Sequence, residues 1–292
     1  MQKPKIKHIV CSGGGQTGFS YYGIFRETNK RGVWHIDDIE SMYVTSAGSI
    51  FGVITALNYD WDVLDDYILK RPWHNVYKID MYTLIESFTK RGIFDTKVIT
   101  ETFLPLFKGK DISIDVTMKE FYDITHIDLH IFTTEINDFS TVDISHKTHP
   151  DWKLVDAVYC SSALPVLFSP FFKDGKCYYD GGILMNYPIQ YCFADGALPE
   201  EVLGIRKERT VDIEKTDSDK TMFDYIFILI AKVFDKISVH KSRVETFHNE
   251  ISVVSPETTI EQIQAATSSI EERQKLIDVG VQLANDFIKK HM

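Results

Sequence analysis

The chain has 292 residues, of which 44% are hydrophobic and 25% are charged, and its 42 acidic and 32 basic side chains give a net charge of −10. This composition is typical of a soluble globular protein. The acidic excess argues against a nucleic-acid partner, because phosphate contacts need clustered Lys and Arg. No apolar run approaches the roughly 18 residues that cross a bilayer, and we expect no signal peptide. Four cysteines without C-x-x-C spacing predict reduced thiols in a cytoplasmic protein.

The first elements in chain order alternate in the way that parallel sheets do. Ile6 to Cys11 has the β-rich alternation of a strand, and Phe19 to Arg31 has helical spacing that ends at Gly32. Met42 to Thr45 indicates a second strand, and Ser49 to Leu57 indicates a second helix. The order strand, glycine-rich turn, helix, strand, turn, helix predicts an α/β fold whose parallel-rich central sheet is covered by helices on both faces.

Further strands and helices are predicted downstream of these elements. Residues 61 to 107 have mostly helical spacing. Residues 210 to 220 are polar and carry both charge signs, which indicates a flexible loop. Additional strands are predicted at Leu129 to Glu135, Thr141 to Ser145 and Glu201 to Ile205.

The C-terminal part ends in a well-marked helix. Ser269 and Glu272 form a capping box, and the apolar rows that follow indicate a helix that packs on the body of the protein. No repeat or low-complexity tract divides the chain. We therefore expect a single domain over residues 1–292, with a motif-bearing core at about 6–205 and a C-terminal helical extension at about 220–292.

The first chemical motif is the glycine loop from Ser12 to Gly18, between a strand and a helix. It contains the letters G-x-G-x-x-G, but a dinucleotide site also needs an acidic residue at the end of the second strand. Asp37, Asp38 and Glu40 come before that strand instead, and no Lys follows the last glycine, so a P-loop is excluded as well. Bare glycine amides at a helix N-terminus still form an anion hole. The alternative is a tight structural turn.

The second motif is Val44-Thr45-Ser46-Ala47-Gly48. A serine between a short strand and a helix, with a glycine two residues later, is typical of a nucleophile elbow. The pattern G-x-S-x-G is incomplete, because Val44 stands where the first glycine would be. A serine that caps the following helix explains these residues equally well.

The third motif is Tyr178-Tyr179-Asp180-Gly181-Gly182. An acidic residue at the end of an apolar strand, followed by two glycines, is placed to point into a site. The alternative is an Asp-Gly turn, which occurs in proteins of every kind.

The order and spacing of these motifs resemble those of the patatin-like phospholipases. The intermediate stretches Gly92-Ile93-Phe94-Asp95, Phe132-Thr133-Thr134 and Ser161-Ser162-Ala163-Leu164-Pro165 are also similar to that family. The resemblance runs from about Ile6 to Ile205. It implies that Ser46 is the nucleophile and Asp180 is its partner in a catalytic dyad. It also implies an oxyanion hole made by Gly13, Gly14 and Gly15, with Gly18, Gly48, Gly181 and Gly182 supporting the elbow and the loops.

The implied activity is that of a lipid acyl hydrolase of the phospholipase A or lysophospholipase type. Such a serine esterase cleaves fatty-acyl esters through an acyl-enzyme. We expect Asp180 to lie in an apolar pocket and to take the Ser46 proton directly. We expect a phospholipid or lysophospholipid substrate, transient contact with a membrane surface and no cofactor. No Asp and Glu cluster has calcium-loop spacing, which predicts a metal-independent enzyme.

Two residues depart from the family pattern and keep alternatives open. Val44 replaces the elbow glycine, and Thr17 stands where the family usually has Arg or Lys. The alternatives are a catalytically impaired member that acts as a lipid-binding or scaffold protein, and an acyltransferase. A Ser-His-Asp triad would need His240, His248 or His291, none of which has a convincing setting. The oligomeric state stays open.

Two segments are candidates for lipid contact. Tyr225 to Ala231 is the most apolar run and indicates either a core helix or a lipid-facing helix. Lys70 to His74, followed by Tyr77, combines Trp, Tyr and cations, as bilayer interfaces do, or forms a solvated loop.

Overall fold

A computed structural model describes residues 4–209, 225–226, 228–230, 232–233, 237, 247–255 and 259–291 of the protein. The strands are β1 His8–Cys11, β2 Ser41–Thr45, β3 Gly92–Phe94, β4 Asp128–Glu135, β5 Ser140–Ile144, β6 Val166–Phe168, β7 Phe171–Lys173, β8 Lys176–Asp180, β9 Val202–Arg209 and β10 Glu250–Ser255. The helices are α1 Gly18–Lys30, α2 Ala47–Ala56, α3 Trp61–Lys70, α4 Trp73–Val76, α5 Met81–Lys90, α6 Lys97–Gly109, α7 Met118–Thr125, α8 Leu154–Ser162, α9 Ile189–Ala194, α10 Ile260–Ser268 and α11 Ile270–His291.

The main sheet has the strand order β10-β9-β1-β2-β4-β8-β7, and β5 pairs with β4 outside this path. Neighbouring strands from β10 to β4 are parallel, whereas β5, β7 and β8 join in antiparallel fashion. A separate two-stranded sheet pairs β3 with β6. Parallel strands need a crossover, and α1, between β1 and β2, provides one of these connections. The carboxyl ends of β1 and β2 therefore lie side by side, as the ligand crevice of an α/β sheet requires.

Both faces of the sheet are covered. In β1, Ile9 and Cys11 belong to the large core cluster that also contains α1 and α2 side chains, while Val10 packs in a second cluster with residues of α9. This alternation within one strand assigns successive side chains to opposite faces. The predicted α/β fold, with a parallel-rich sheet between helical layers, is confirmed.

The C-terminal helix packs on α1, as its apolar rows predict. The Glu272 amide donates a 3.1 Å hydrogen bond to Ser269 Oγ at the start of the helix. A Cβ added to Gly280 would lie 2.0 Å from the Ser20 carbonyl oxygen, and one added to Gly23 would lie 2.3 Å from the Ile277 carbonyl oxygen. Glycine on both helices therefore allows a close backbone approach that a larger residue would block.

Of the two segments considered for lipid contact, the structure describes one around Trp73 and only part of the other. Trp73 is 4% exposed, and its indole donates to the Ile68 carbonyl at 2.8 Å. Both readings of that segment, a bilayer interface and a solvated loop, are therefore wrong for this side chain. Of the run from Tyr225 to Ala231, Phe227 and Ala231 lie outside the described residues, as does the predicted loop at 210–220. Within the described ranges, no helix has the length and apolarity to span a membrane.

Candidate active site

Ser46 occupies a sharp turn between β2 and α2. Its φ of 52° and ψ of −125° lie in a region that residues other than glycine rarely adopt. The turn is tight: a Cβ added to Gly48 would lie 2.6 Å from the Cys11 carbonyl oxygen. The side chain of Ser46 makes no hydrogen bond that caps α2, so the alternative reading as a capping serine is wrong. The strained turn instead presents the hydroxyl at the carboxyl edge of the sheet.

The Ser46 hydroxyl donates a 2.7 Å hydrogen bond to Asp180 Oδ2. The other carboxylate oxygen, Oδ1, accepts a 2.7 Å hydrogen bond from the Gly182 amide. Asp180 is 5% exposed, and this burial raises the pKa of its carboxyl group to about 6, although both hydrogen bonds act in the opposite direction. The pair thus joins a hydroxyl to a buried carboxylate that is more basic than an ordinary Asp.

Three backbone features hold Asp180 at the end of β8. Its amide donates to the Ala163 carbonyl at 2.9 Å, and its carbonyl accepts from Thr134 Oγ1 at 3.0 Å. The next residue, Gly181, passes so close to β4 that a Cβ there would lie 2.1 Å from the Phe132 carbonyl oxygen. The Asp-Gly-Gly pattern therefore lets the chain turn sharply beneath the elbow while the carboxylate faces Ser46.

Ser161 supports the elbow from α8, a role that the sequence did not indicate. Its hydroxyl accepts a 2.8 Å hydrogen bond from the Ser46 amide and donates a 2.6 Å hydrogen bond to the Phe132 carbonyl. Ser161 is fully buried. In the sequence, the Ser161-Ser162-Ala163-Leu164-Pro165 stretch is similar to a family motif. That similarity did not predict which atoms the Ser161 hydroxyl contacts.

The glycine loop lies beside Ser46, and its three predicted donors are placed differently. The Gly13 amide donates to the Asn186 carbonyl at 3.1 Å, so it is already engaged in this conformation. A Cβ on Gly13 would lie 3.0 Å from Ser46 Cβ, which shows how close the loop comes to Ser46. Gly14 follows it, and Gly15 is exposed with a φ of 56° at the start of a 3-10 helix. The sequence analysis did not predict that the Asn186 carbonyl would accept the Gly13 amide.

The two departures from the family pattern are both accommodated. Val44 is fully buried and faces Gly52, where an added Cβ would lie 3.0 Å from Val44 Cγ1. Val44 therefore fits at this position because the residue that faces it is a glycine. Thr17 is 1% exposed, and its hydroxyl shares a 2.9 Å hydrogen bond with Ser255 Oγ in β10.

The histidines considered for a Ser-His-Asp triad either lie away from Ser46 and Asp180 or are outside the described residues. His240 is outside the described residues. His248 Nε2 and His291 Nδ1 are 2.9 Å apart, so these two rings contact each other. In the part of the chain that the structure covers, no histidine hydrogen-bonds to Ser46 or Asp180. Across the same residues, no group of three or more His, Cys, Asp or Glu side chains is arranged to hold a metal ion.

Comparison with known proteins finds a matching family model and two viral relatives. A family model described as patatin-like phospholipase matches residues 9–193. "Probable lipid hydrolase 463L" of Invertebrate iridescent virus 6 is 26% identical over 190 residues, which is 64% of this chain and 63% of that protein. "Uncharacterized protein R571" of Acanthamoeba polyphaga mimivirus is 25% identical over 191 residues, which is 65% of this chain and 62% of that protein. The matched region thus spans less than two thirds of either relative.

Solved structures share the fold. VipD from Legionella pneumophila superposes with a TM-score of 0.61 at 18% identity, over 99% of this chain and 67% of that one. The ExoU-SpcU complex of Pseudomonas aeruginosa superposes with a TM-score of 0.50 at 16% identity, over 99% of this chain and 52% of that one. At these identities the likeness concerns the fold alone.

Proposed function

Because the family model matches more than half of its residues, the chain belongs to the patatin-like phospholipase family, and we propose that it is a lipid acyl hydrolase with a Ser46–Asp180 catalytic dyad. The observation that carries the proposal is the 2.7 Å hydrogen bond from Ser46 Oγ to the buried Asp180 Oδ2. A hydroxyl within hydrogen-bond reach of a base, on a strained turn, is the arrangement that nucleophilic catalysis needs.

The acylation step follows from these positions. Ser46 Oγ attacks the carbonyl carbon of a fatty-acyl ester, and its proton passes to Asp180 Oδ2. The tetrahedral intermediate collapses as the bond to the glycerol oxygen breaks, and Asp180 returns the proton to that leaving oxygen. The products are an acyl ester on Ser46 and a free alcohol. The Gly182 amide holds the other carboxylate oxygen, so the reacting oxygen keeps its orientation toward Ser46.

Deacylation repeats the same proton transfers with water. Asp180 takes a proton from a water molecule that attacks the acyl-enzyme carbonyl. The bond to Ser46 Oγ then breaks, the proton returns to that oxygen, and the fatty acid leaves. One carboxylate therefore acts as base and then as acid in each half-reaction, which a pKa of about 6 supports near neutral pH.

The oxyanion of each tetrahedral intermediate needs donors that are already in place. We assign this role to the amides of Gly14 and Gly15, on the side of Ser46 where the glycine loop lies. The Gly13 amide is committed to the Asn186 carbonyl, and we assign it the task of anchoring the loop. The N-terminus of α2 begins directly after Ser46 and adds the favourable field of its dipole.

We propose a phospholipid or lysophospholipid as substrate, met at a membrane surface. The viral relative named as a probable lipid hydrolase supports a lipid substrate, and the family description supports a phospholipid. A catalytically impaired scaffold is the less favoured candidate, because Val44 has a glycine opposite it and Thr17 has a hydrogen-bond partner. Both departures thus fit the fold with the elbow and the dyad intact.

Labelling with a fluorophosphonate probe tests the proposal, together with analysis of the fatty acids released from a mixed lipid extract. The wild type should be labelled and should release fatty acid, whereas Ser46→Ala should do neither. Ser140→Ala, which changes an exposed serine on β5, is the matched control and should behave as the wild type does. A folded wild type that takes no label, or equal labelling of Ser46→Ala, would rule out the nucleophile.

A further inference from the structure

Helix α5 turns its largest apolar side chains outward. Met81 is 73% exposed, Tyr82 68%, Ile85 64% and Phe88 71%, while the one residue of this helix that is buried is Ser87. In a helix of a globular protein the apolar stripe faces the core. Here the pattern is reversed, so packing against the described residues of the protein does not explain the exposed positions of Met81, Tyr82 and Ile85.

The exposed residues form one continuous face. The i, i+4, i+7 spacing of Met81, Ile85 and Phe88 aligns them along the helix, which at 10 residues is about 15 Å long. A polar row runs beside them: the Tyr82 phenol lies next to the Glu86 carboxylate, which pairs with Lys90 Nζ at 2.7 Å. The helix thus carries an apolar stripe bordered by a phenol and a cation.

Arg91 and Phe172 extend this face beyond the C-terminal end of the helix. Arg91 ends α5 in the left-handed conformation, with a φ of 63°, and its guanidinium lies 5.9 Å from the centroid of the Phe172 ring. Phe172 lies on β7, the last strand of the sheet, and is 62% exposed. We call Met81, Tyr82, Ile85 and Phe172, with Lys90 and Arg91 at the border, the α5 surface.

We propose that the α5 surface is the part of the protein that docks on a lipid bilayer, with α5 lying in the plane of the headgroups. The proposal rests on the proposed lipid hydrolase function. Aliphatic and aromatic side chains enter the boundary between headgroups and acyl chains, while Tyr82 and the cations stay at the level of the phosphates. On a chain with a net charge of −10, the guanidinium of Arg91 gives the border of this face a positive charge in addition to the Lys90–Glu86 pair, and phosphate groups attract it.

A bilayer suits this face better than a protein partner. Three exposed side chains on one short helix, with Phe172 beside them, offer on the order of a few hundred Å² of apolar surface. Each partner in a stable protein complex buries roughly 800 Å² on a shape-matched patch. A fluid lipid surface needs no matched shape and accepts an apolar stripe of this size.

The docked helix would be coupled to the active site through short backbone connections. Arg91 leads into β3, which pairs with β6, and a Cβ on Gly92 would lie 2.2 Å from the Phe168 carbonyl carbon. Strand β6 follows the end of α8, where the Ala163 carbonyl accepts the Asp180 amide. The α5 surface is therefore connected to the strand that carries the proposed catalytic carboxylate through β3, β6 and the end of α8.

Flotation with phosphatidylcholine vesicles tests the proposal, using Ser46→Ala protein so that the vesicles stay intact. In that background, Met81→Ser/Ile85→Ser should lower the vesicle-bound to free ratio at least tenfold. Val63→Ser/Ile124→Ser is the matched control, because these side chains on α3 and α7 are 49% and 52% exposed. The control should float as the parent does; equal flotation of all three proteins would overturn the proposal.

Activity assays separate this proposal from the function on which it rests. With Ser46 intact, Met81→Ser/Ile85→Ser should keep full turnover of a soluble short-chain ester and lose about tenfold on vesicle phospholipid. A wild type that cleaves neither substrate, while flotation still depends on α5, contradicts the hydrolase and leaves the docking surface standing. If the substitutions abolish self-association in sedimentation and leave flotation unchanged, the face binds a protein and the proposal is wrong.

A third variant adds a signal without removing apolar area. Ile85→Trp should shift the tryptophan emission to shorter wavelength when vesicles are added, because the indole leaves water. Ile124→Trp on α7 should show no such shift. Equal emission spectra of Ile85→Trp with and without vesicles would overturn the docking of α5.

Discussion

Asp180 uses its two carboxylate oxygens for different partners: Oδ2 accepts the Ser46 hydroxyl and Oδ1 accepts the Gly182 amide, each at 2.7 Å. The backbone amide fixes the orientation of the carboxylate, so that Oδ2 faces the Ser46 hydroxyl. Burial raises the pKa of this carboxyl group to about 6. The site thereby obtains, from an aspartate, a base that is closer in strength to an imidazole.

The rate should therefore depend on the ionisation of Asp180. The dyad needs the carboxylate form, so kcat/KM for a soluble ester should fall about tenfold per pH unit below pH 6 and level off above it. A pH series from 4 to 8 with a short-chain ester measures this, with structure followed by circular dichroism at each pH. An inflection near pH 4, the ordinary range of Asp, would contradict the assignment of Asp180 as a buried base.

The same burial predicts a cost in stability. Because the folded pKa of Asp180 is raised above its unfolded value of 3.8, the folded carboxylate is penalised by about 3 kcal/mol at any pH above 6, and the penalty vanishes as the pH falls toward 3.8. Asp180→Asn removes the charge and part of the hydrogen bonding. We expect it to raise the free energy of unfolding at pH 8 by about 1 kcal/mol while turnover falls at least a thousandfold.

Urea unfolding at pH 8, together with a turnover assay, tests this expected gain in stability and loss of activity. Asp138→Asn is the control, because that carboxylate is exposed on a turn. The control should change neither stability nor turnover. A destabilised Asp180→Asn protein would show that the hydrogen bonds to the carboxylate outweigh the cost of burying its charge.

Local pattern was enough to predict the sheet, whereas the elbow and the acidic turn were favoured over their alternatives by the resemblance of the combined motifs to a known family. The alternation in Ile6 to Cys11 and the spacing of Phe19 to Arg31 agree with β1 and α1 to within two residues. Ser46 and Asp180 lie in short motifs. The order of these motifs along an α/β chain indicates that both residues lie at one edge of the sheet. Such features depend on neighbours in sequence, and for that reason they were predictable.

Contacts across long sequence distances were not predictable. The Ser161 hydroxyl reaches the Ser46 amide, and the Asn186 carbonyl takes the Gly13 amide, only because the fold brings these loops together. Periodicity identifies an apolar face but not what lies opposite it. Trp73 in a charged stretch is therefore buried, whereas Ile85 on an amphipathic helix is exposed.

Val44 and Gly52 should behave as a coupled pair. Val44→Gly leaves a cavity at a fully buried position and adds backbone freedom, so we expect it to lower the free energy of unfolding by about 3 kcal/mol without raising kcat. Gly52→Ala forces a methyl group to within 3.0 Å of Val44 Cγ1. In a double-mutant cycle, Gly52→Ala should lower the free energy of unfolding when residue 44 is Val. It should leave that free energy nearly unchanged in the Val44→Gly background. Additive effects would show that the two residues do not share this space.

Thr17→Arg, which restores the usual family residue, should impair this protein. Thr17 is 1% exposed and bonded to Ser255, and the adjacent Gln16 Nε2 donates to Gln262 Oε1 at 2.8 Å. A guanidinium at this place would displace the glycine loop from β10 and α10, so kcat should fall about tenfold or more. Ser255→Ala, which removes only the hydrogen-bond partner, should have a smaller effect. A faster Thr17→Arg enzyme would indicate that the native loop is catalytically impaired.

A buried charge cluster at the opposite end of β4 sets a second pH dependence. His130 Nδ1 lies 2.7 Å from Asp143 Oδ2, its Nε2 lies 3.3 Å from Asp128 Oδ1, and its ring stacks on Tyr43 with centroids 4.4 Å apart. Burial alone would lower the pKa of His130, but the two carboxylates outweigh it and raise that pKa to about 9.

This raised pKa predicts a loss of stability in alkali. The folded protein binds the His130 proton more tightly than the unfolded chain does, so the stabilisation is complete below about pH 6.5 and is lost as the pH rises to 9. The difference corresponds to about 3 kcal/mol. Urea unfolding at pH 6, 7.5 and 9 should show this decline in the wild type and in His35→Gln, whose ring is exposed. In His130→Gln the same interval should be nearly flat, because no group at that position releases a proton; an equal decline would assign the pH dependence to other residues.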